Sequence, residues 1–173
     1  MSRTKTALKT RAREFDLSRM SEHDLLEVVE IEESCGLSRW GWEAYHAELL
    51  RERETIMLVA RERVAKTLAG QAAVIGFIAA RQNAAELHVN NIAVRQDYRR
   101  AGAGGALLEA ALKEGARMGA RKALLEVRAS NLEAQALYAR HGFRTEGRRR
   151  RYYKEPTEDA VLMRVALQKP GLI

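Results

Sequence analysis

The stretch Asn91-Ile92-Ala93-Val94, followed four residues later by Arg99-Arg100-Ala101-Gly102-Ala103-Gly104-Gly105, decides the fold class. An apolar strand-like run ends, two arginines appear, and glycines open a segment whose Leu108, Ala111, Leu112 and Gly115 recur at helical spacing. The reading is a strand, a tight turn and an amphipathic helix over about 102–118, with Gly119 as C-terminal cap. Glycine lets the backbone approach a ligand closely, and the first N–H groups of a helix have no partner inside it. Those donors, the helix dipole and the arginine charge together form an anion site, for which a pyrophosphate is the natural guest. No Gly-Lys-Ser/Thr follows, so this is not a Walker A loop, and the first glycine of a dinucleotide fingerprint is missing. On these residues alone, a plain Gly-rich corner between strand and helix stays open as an alternative.

Outward from this stretch the chain alternates between period 2 and period 3.6, as an α/β or mixed α+β domain does. Strands are expected over 13–19, 55–63, 73–81, 86–94, 122–128, 143–153 and 160–167. Ser21 and Asp24 resemble a capping box ahead of an apolar helix face at Leu25, Leu26, Val28, Val29 and Ile31. Further helices are expected over 42–51, 102–118 and from Asn131 to near His141. The result is a central mixed, mostly antiparallel sheet of about seven strands with about four helices. With only Pro156 and Pro170 and no low-complexity linker, a single domain over 13–167 is expected, between a basic tail at 1–12 and a short tail at 168–173.

Composition bounds the class without naming the function. The 173 residues are 46% hydrophobic, too apolar for a disordered chain, and no apolar run is long enough for a bilayer. Cys35 is the only cysteine, which precludes an intramolecular disulfide and suits a reducing, cytoplasmic setting. A net charge of +7 attracts polyanions of every kind, so nucleic acid contact is expected only through basic surface. Arg3, Lys5, Lys9, Arg11 and Arg13 lie in an opening segment without acidic residues, expected to be a loose tail. No histidine pair has zinc spacing, so no metal is expected.

Glu126 lies in Ala123-Leu124-Leu125-Glu126-Val127, which otherwise reads as a buried strand. A carboxylate there is costly unless it is paired, hydrated or useful. Two readings stand side by side: a proton acceptor, or a strand-face salt bridge to Lys122 or Arg128, which share its face. Tyr138 follows Asn131 by seven residues, so both are expected on one helix face.

With Leu125-Glu126-Val127-Arg128-Ala129-Ser130-Asn131, Ala136-Leu137-Tyr138, Gly142-Phe143, Arg149 to Tyr153 and Glu158-Asp159-Ala160 added, the chain resembles the GNAT superfamily of acetyltransferases. Its Arg99-x-x-Gly102-x-Gly104 matches that family's Gln/Arg-x-x-Gly-x-Gly/Ala signature, and the whole resembles bacterial ribosomal-protein-alanine N-acetyltransferases. The resemblance covers roughly 13–167 and is sharpest from Asn91 onward. It implies direct transfer from acetyl-coenzyme A to a protein N-terminus, with the alanine of a small-subunit ribosomal protein as acceptor. It further implies that the backbone at Ile92, Ala93 and Val94 binds the acetyl-pantetheine arm. Arg99, Arg100, Ala101, Gly102, Ala103, Gly104 and Gly105 would hold the pyrophosphate, and Asn131 would add a coenzyme contact. Glu126 would be the proton acceptor and Tyr138 the proton donor to the departing thiolate. Ala101 and Ala103 are smaller than is usual in the family, which leaves the backbone donors intact.

Other features are less decided. Arg39, Trp40 and Trp42 lie where the family shapes its acceptor cleft and match it loosely; a helix-packing anchor is the competing reading. Arg148 to Arg151, followed by Tyr152 and Tyr153, reads as a solvated strand edge or a docking surface, with at most half on one face. The resemblance sets the tyrosines beside the acceptor. Glu86 is a candidate second carboxylate against a plain strand-end charge, and Cys35 is expected to be unreactive. A lysine or small-molecule amine as acceptor, or a basic RNA- or ribosome-binding module, are the competing functions. A monomer or weak dimer is expected.

Overall fold

The seven strand runs pair into one sheet in the order β1-β2-β3-β4-β5-β7-β6. In chain order the elements are β1 (Phe15–Arg19), α1 (Leu25–Ser34), α2 (Gly41–Leu49), β2 (Thr55–Glu62), β3 (Val74–Asn83), β4 (Glu86–Val94), α3 (Ala103–Arg117), β5 (Lys122–Arg128), α4 (Leu132–Arg140), β6 (Arg144–Lys154) and β7 (Thr157–Ala166). This is a computed structural model; it describes residues 14–63 and 72–168. The basic tail at 1–12, the polar loop at 66–71 and all but Gln168 of the C-terminal tail lie outside the described residues. The expected seven strands and four α-helices are present among the described residues, with ends within about three residues of the sequence reading.

Apolar residues fill both faces of the sheet. On one side, Leu107, Leu108 and Ala111 of α3 pack on Ile56, Leu58, Ile75, Ile78, Leu87 and Val89. On the other, Leu25, Val28 and Ile31 of α1 and Tyr45 of α2 pack on Met57, Val59, Phe77 and Ala79. The buried α3 stripe is Ala103, Leu107, Leu108, Ala111 and Gly115, adding Ala103 and Leu107 to the expected set and losing Leu112. Leu107 is fully buried, while Leu112 packs at the margin and is only partly covered. A stripe about three residues per two turns wide takes in the neighbouring leucine.

Two irregularities in β4 shape the site. Ala79 pairs with Asn91 and Ala80 with Val89, so Asn90 is an extra residue, a β-bulge. The bulge reverses the alternation. Leu87 and Val89 join the α3 core before it, whereas Asn91 and Ala93 are buried beyond it and Ala93 belongs to the α1–α2 core. The second irregularity lies toward β5, the one parallel neighbour in the sheet. Pairing runs only from Glu86↔Lys122 to Val89↔Leu125, and the two strands then part. Residues 90–94 and 126–128 therefore flank an open gap. Close approach on the other side fixes β4 there: a Cβ at Gly76 would lie 2.8 Å from the Ala93 carbonyl oxygen.

Strand β5 is not buried throughout, contrary to the sequence reading. Ala123, Leu125 and Val127 are buried, and Leu124, Glu126 and Arg128 share the half-open face. The lone carboxylate in the run sits where the pleat turns outward.

Candidate active site

The gap between β4 and β5 opens toward the start of α3. Arg95 N–H donates to the Ile75 carbonyl at 2.8 Å, so the main chain of Arg95 faces β3. Strand alternation then turns Ala93 toward β3 and turns Ile92 and Val94 toward the gap. Of the three residues expected to bind a pantetheine arm, Ile92 and Val94 turn their main chain to the gap. Ala93 serves β3 instead.

Past Val94 the chain makes a short turn at Gln96–Tyr98 and then takes left-handed conformations at Arg100 (φ 64°) and Gly102 (φ 88°). Gly102 caps α3 without a side-chain hydrogen bond, and the first turn of α3 holds no acidic residue. The N–H groups of Ala103, Gly104 and Gly105 are the first-turn donors of α3, with no helical carbonyl to bond. They and the helix dipole suit a phosphate. Gly104 and Gly105 keep the surface narrow, since a Cβ at Gly105 would lie 3.3 Å from Cε1 of His141 on α4. The Arg99 guanidinium turns back toward β4, donating to the Val94 carbonyl at 3.2 Å and approaching Cys35 Sγ at 3.6 Å. Arg100 and Gly102 are exposed, and Ala101 is half-buried.

Glu126, the next residue after the last β4–β5 pair, is half-buried on the opposite wall. Its partner is neither Lys122 nor Arg128, as the salt-bridge reading expected. Lys122 pairs with Glu86 at 2.6 Å and Arg128 with Glu158 at 3.4 Å. Glu126 instead meets Arg149 Nη1 at 3.1 Å. Interaction with the Glu126 carboxylate first, then burial, raises the Tyr152 phenol. Burial, then the Glu126 charge, pushes Tyr153 up to about 12. The Arg128 guanidinium lies 4.2 Å from the centre of the Tyr153 ring. The expected strand alternation through Arg148–Tyr153 fails because a bulge intervenes: Arg149 pairs with Ala160 and Tyr153 with Glu158. Glu86, paired with Lys122 and His88, lies at the far end of β4 and belongs to no site.

On α4, Tyr138 and Asn131 do not share a face. Asn131 is the cap, at φ −81° and ψ 69°, and its Oδ1 accepts the Ala134 N–H at 3.1 Å. It is exposed, whereas Tyr138 is buried in the α3 core. Seven-residue spacing holds only between residues inside a helix, and a cap stands outside it. Asn131 keeps its amide N–H₂ for other partners. Burial, with a smaller contribution from Tyr153, raises the Tyr138 phenol.

One group was missed at the sequence level. The Glu32 carboxylate is fully buried and accepts Trp40 N–H at 2.8 Å, Gly41 N–H at 3.0 Å and the Tyr45 hydroxyl at 2.8 Å. The Trp40–Trp42 segment is thereby fastened to α1. Trp40 packs against Tyr45 at 5.3 Å, and Trp42 stacks on His46 at 4.6 Å. The only sequence signal was an acidic residue flush against Val28 and Ile31 on an apolar helix face.

A sequence profile of the Acetyltransferase (GNAT) family matches residues 25–143. The chain belongs to the GNAT acetyltransferase family. A Bacillus subtilis relative, provisionally named a ribosomal protein bS18-alanine N-acetyltransferase, is 31% identical over 150 residues, 87% of this chain and 94% of its own length. The ribosomal protein bS18-alanine N-acetyltransferase of Escherichia coli K12 is 48% identical over 75 residues, 42% of this chain and 51% of that protein. Among solved structures, the Escherichia coli ribosomal-protein-S18-alanine N-acetyltransferase superposes with a TM-score of 0.76 at 28% identity, covering 92% of this chain and 97% of that one. The parted β4–β5 pair and uncapped α3 described above are thus features of a GNAT domain.

Proposed function

We propose that the chain transfers the acetyl group of acetyl-coenzyme A to the α-amine of a protein N-terminus, acting in the cytoplasm. The acceptor is the N-terminal alanine of a small-subunit ribosomal protein, in keeping with what the bacterial relatives are named for. The observation that carries this reading is the gap itself. The main chain of Ile92 and Val94 and the free N–H groups of Ala103 to Gly105 line one path, and Glu126 stands across it. The coenzyme supplies the activated acetyl group and a thiolate leaving group.

Each residue has a physical task. The α3 N-terminus and Arg100 offset phosphate charge. Main-chain groups of Ile92 and Val94 bond an extended amide-bearing arm as a neighbouring strand would, and one N–H at the strand end stabilises charge growing on the acetyl oxygen. An α-amine, with pKa about 7.7–8.0, is partly neutral at physiological pH, whereas a lysine near 10.4 is almost wholly charged. Glu126, directly or through water, is an adequate base for the first and a poor one for the second. Tyr138 keeps its proton through the physiological range because burial raises its phenol. It is therefore always in the donor form.

The test is acetyl transfer to synthetic peptides that vary in the first residue, with lysine-bearing and small-amine acceptors in parallel. Alanine-first peptides are expected to react fastest at the α-amine. Transfer confined to lysine or small amines, or none, would overturn the assignment.

A further inference from the structure

The Glu126 carboxylate already holds a cation in this structure. Arg149 Nη1 sits 3.1 Å from its Oε1, with side-chain exposures of 55% for Arg149 and 26% for Glu126. The Arg149 guanidinium carbon lies 5.5 Å from the centre of the Tyr152 ring, so cation and ring stand together beside the carboxylate. The remaining charged groups nearby are committed elsewhere: Arg128 to Glu158 and the Tyr153 ring, and Arg148 to Asp159. Tyr138 and Tyr153 are phenols held neutral by burial. Arg149 is the cation that neutralises Glu126.

At neutral pH an α-amine with pKa about 7.7–8.0 arrives mostly as an ammonium. It has the charge of a guanidinium and N–H donors suited to the same carboxylate. We propose that Arg149 is a positioning residue acting through Glu126, a stand-in counter-ion that the ammonium of the acceptor displaces. The inference rests on the reading of Glu126 as proton acceptor. It explains how a half-buried carboxylate is never left unpaired, since one cation leaves as another enters. Ion pairs exposed on one side are weak enough to be exchanged this way.

The experiment uses the peptide that the wild-type enzyme acetylates fastest, with the same peptide already N-acetylated as a binding control. Arg149→Met is expected to lower KM for the free peptide by about two- to five-fold, the worth of an exposed ion pair, with kcat little changed. Arg149→Lys restores a competing cation and returns KM toward wild type. Calorimetric binding of the acetylated control is unchanged by either substitution. In a Glu126→Gln background the affinity gain from Arg149→Met disappears, as a double-mutant cycle requires of groups that act through one another. A raised or unchanged KM in Arg149→Met, or a gain that persists when Arg149→Met is combined with Glu126→Gln, overturns the proposal. Failure of the underlying reading shows separately, as wild-type kcat in Glu126→Gln alone.

Discussion

The Tyr45 hydroxyl donates to Glu32 Oε1 at 2.8 Å while accepting from Asn91 Nδ2 at 2.8 Å, so one phenol joins α1 to the edge of the β4–β5 gap. Burial, then the bond to Glu32, raises its pKa, and it remains a neutral donor. Tyr45→Phe leaves the Asn91 amide without this acceptor and Glu32 with one donor fewer. A buried polar group so orphaned costs about 1–3 kcal/mol, expected as a lower midpoint in urea unfolding. Because Glu32 also holds Trp40 and Gly41, acceptor KM should rise more than the coenzyme dissociation constant. An equal rise in both would place the relay outside the acceptor wall.

Gly76 bears on coenzyme binding from behind. In Gly76→Ala the new methyl meets the Ala93 carbonyl oxygen at 2.8 Å and Val94 Cγ2 at 3.0 Å. A backbone atom has no rotamer to escape into, so β4 must shift at Ile92 to Val94. Overpacking of this kind costs about 1–3 kcal/mol. Calorimetry with coenzyme A should show weakened binding; affinity at the wild-type level would mean that the β4 edge does not contact the ligand.

Glu126→Gln and Tyr138→Phe separate the two proton-transfer roles. The first is expected to lower kcat by about 10²–10⁴-fold, the usual range for a lost acid–base group, with coenzyme affinity nearly intact. Tyr138→Phe removes only the hydroxyl from a buried ring, so the thermal midpoint should hardly move while turnover falls. A large stability loss in this variant would mark Tyr138 as structural only.

Acid should loosen the junction between β5 and α4. Glu158 accepts the Ser130 N–H at 2.5 Å, and the Ser130 side chain first, then this N–H, with Arg128 adding, hold its carboxyl below the ordinary 4.5. The folded-state value is depressed, so the contribution of this group is complete above about 4.5 and fades as pH falls through the depressed value. In Glu158→Gln, the decline of stability below that pH should be shallower than in wild type, measured by urea unfolding across the acid range. Curves of equal steepness would show that Glu158 does not couple protonation to folding.

The fold was legible because its signals are local. The run from Asn91 to Gly105 announces strand, turn and helix by glycine placement, and the expected strands 86–94 and 122–128 match Glu86–Val94 and Lys122–Arg128. What escaped is set by pairing between distant segments. That Glu126 meets Arg149 depends on a β6 bulge that no periodicity shows. That Asn131 and Tyr138 separate depends on a cap whose backbone is not helical. The role of Glu32 has no periodic sign, because its backbone partners are N–H groups eight and nine residues onward.

Four residue pairs, Glu86↔Lys122 to Val89↔Leu125, with the Arg121 N–H on the Ala85 carbonyl beside them, stitch β1–β4 to β5–β7. A ligand lying along the unstitched length would tie both halves of the sheet at once. Resistance to heat becomes a gauge of occupancy, with each bound coenzyme acting as the missing rungs of a ladder that the polypeptide leaves unfinished.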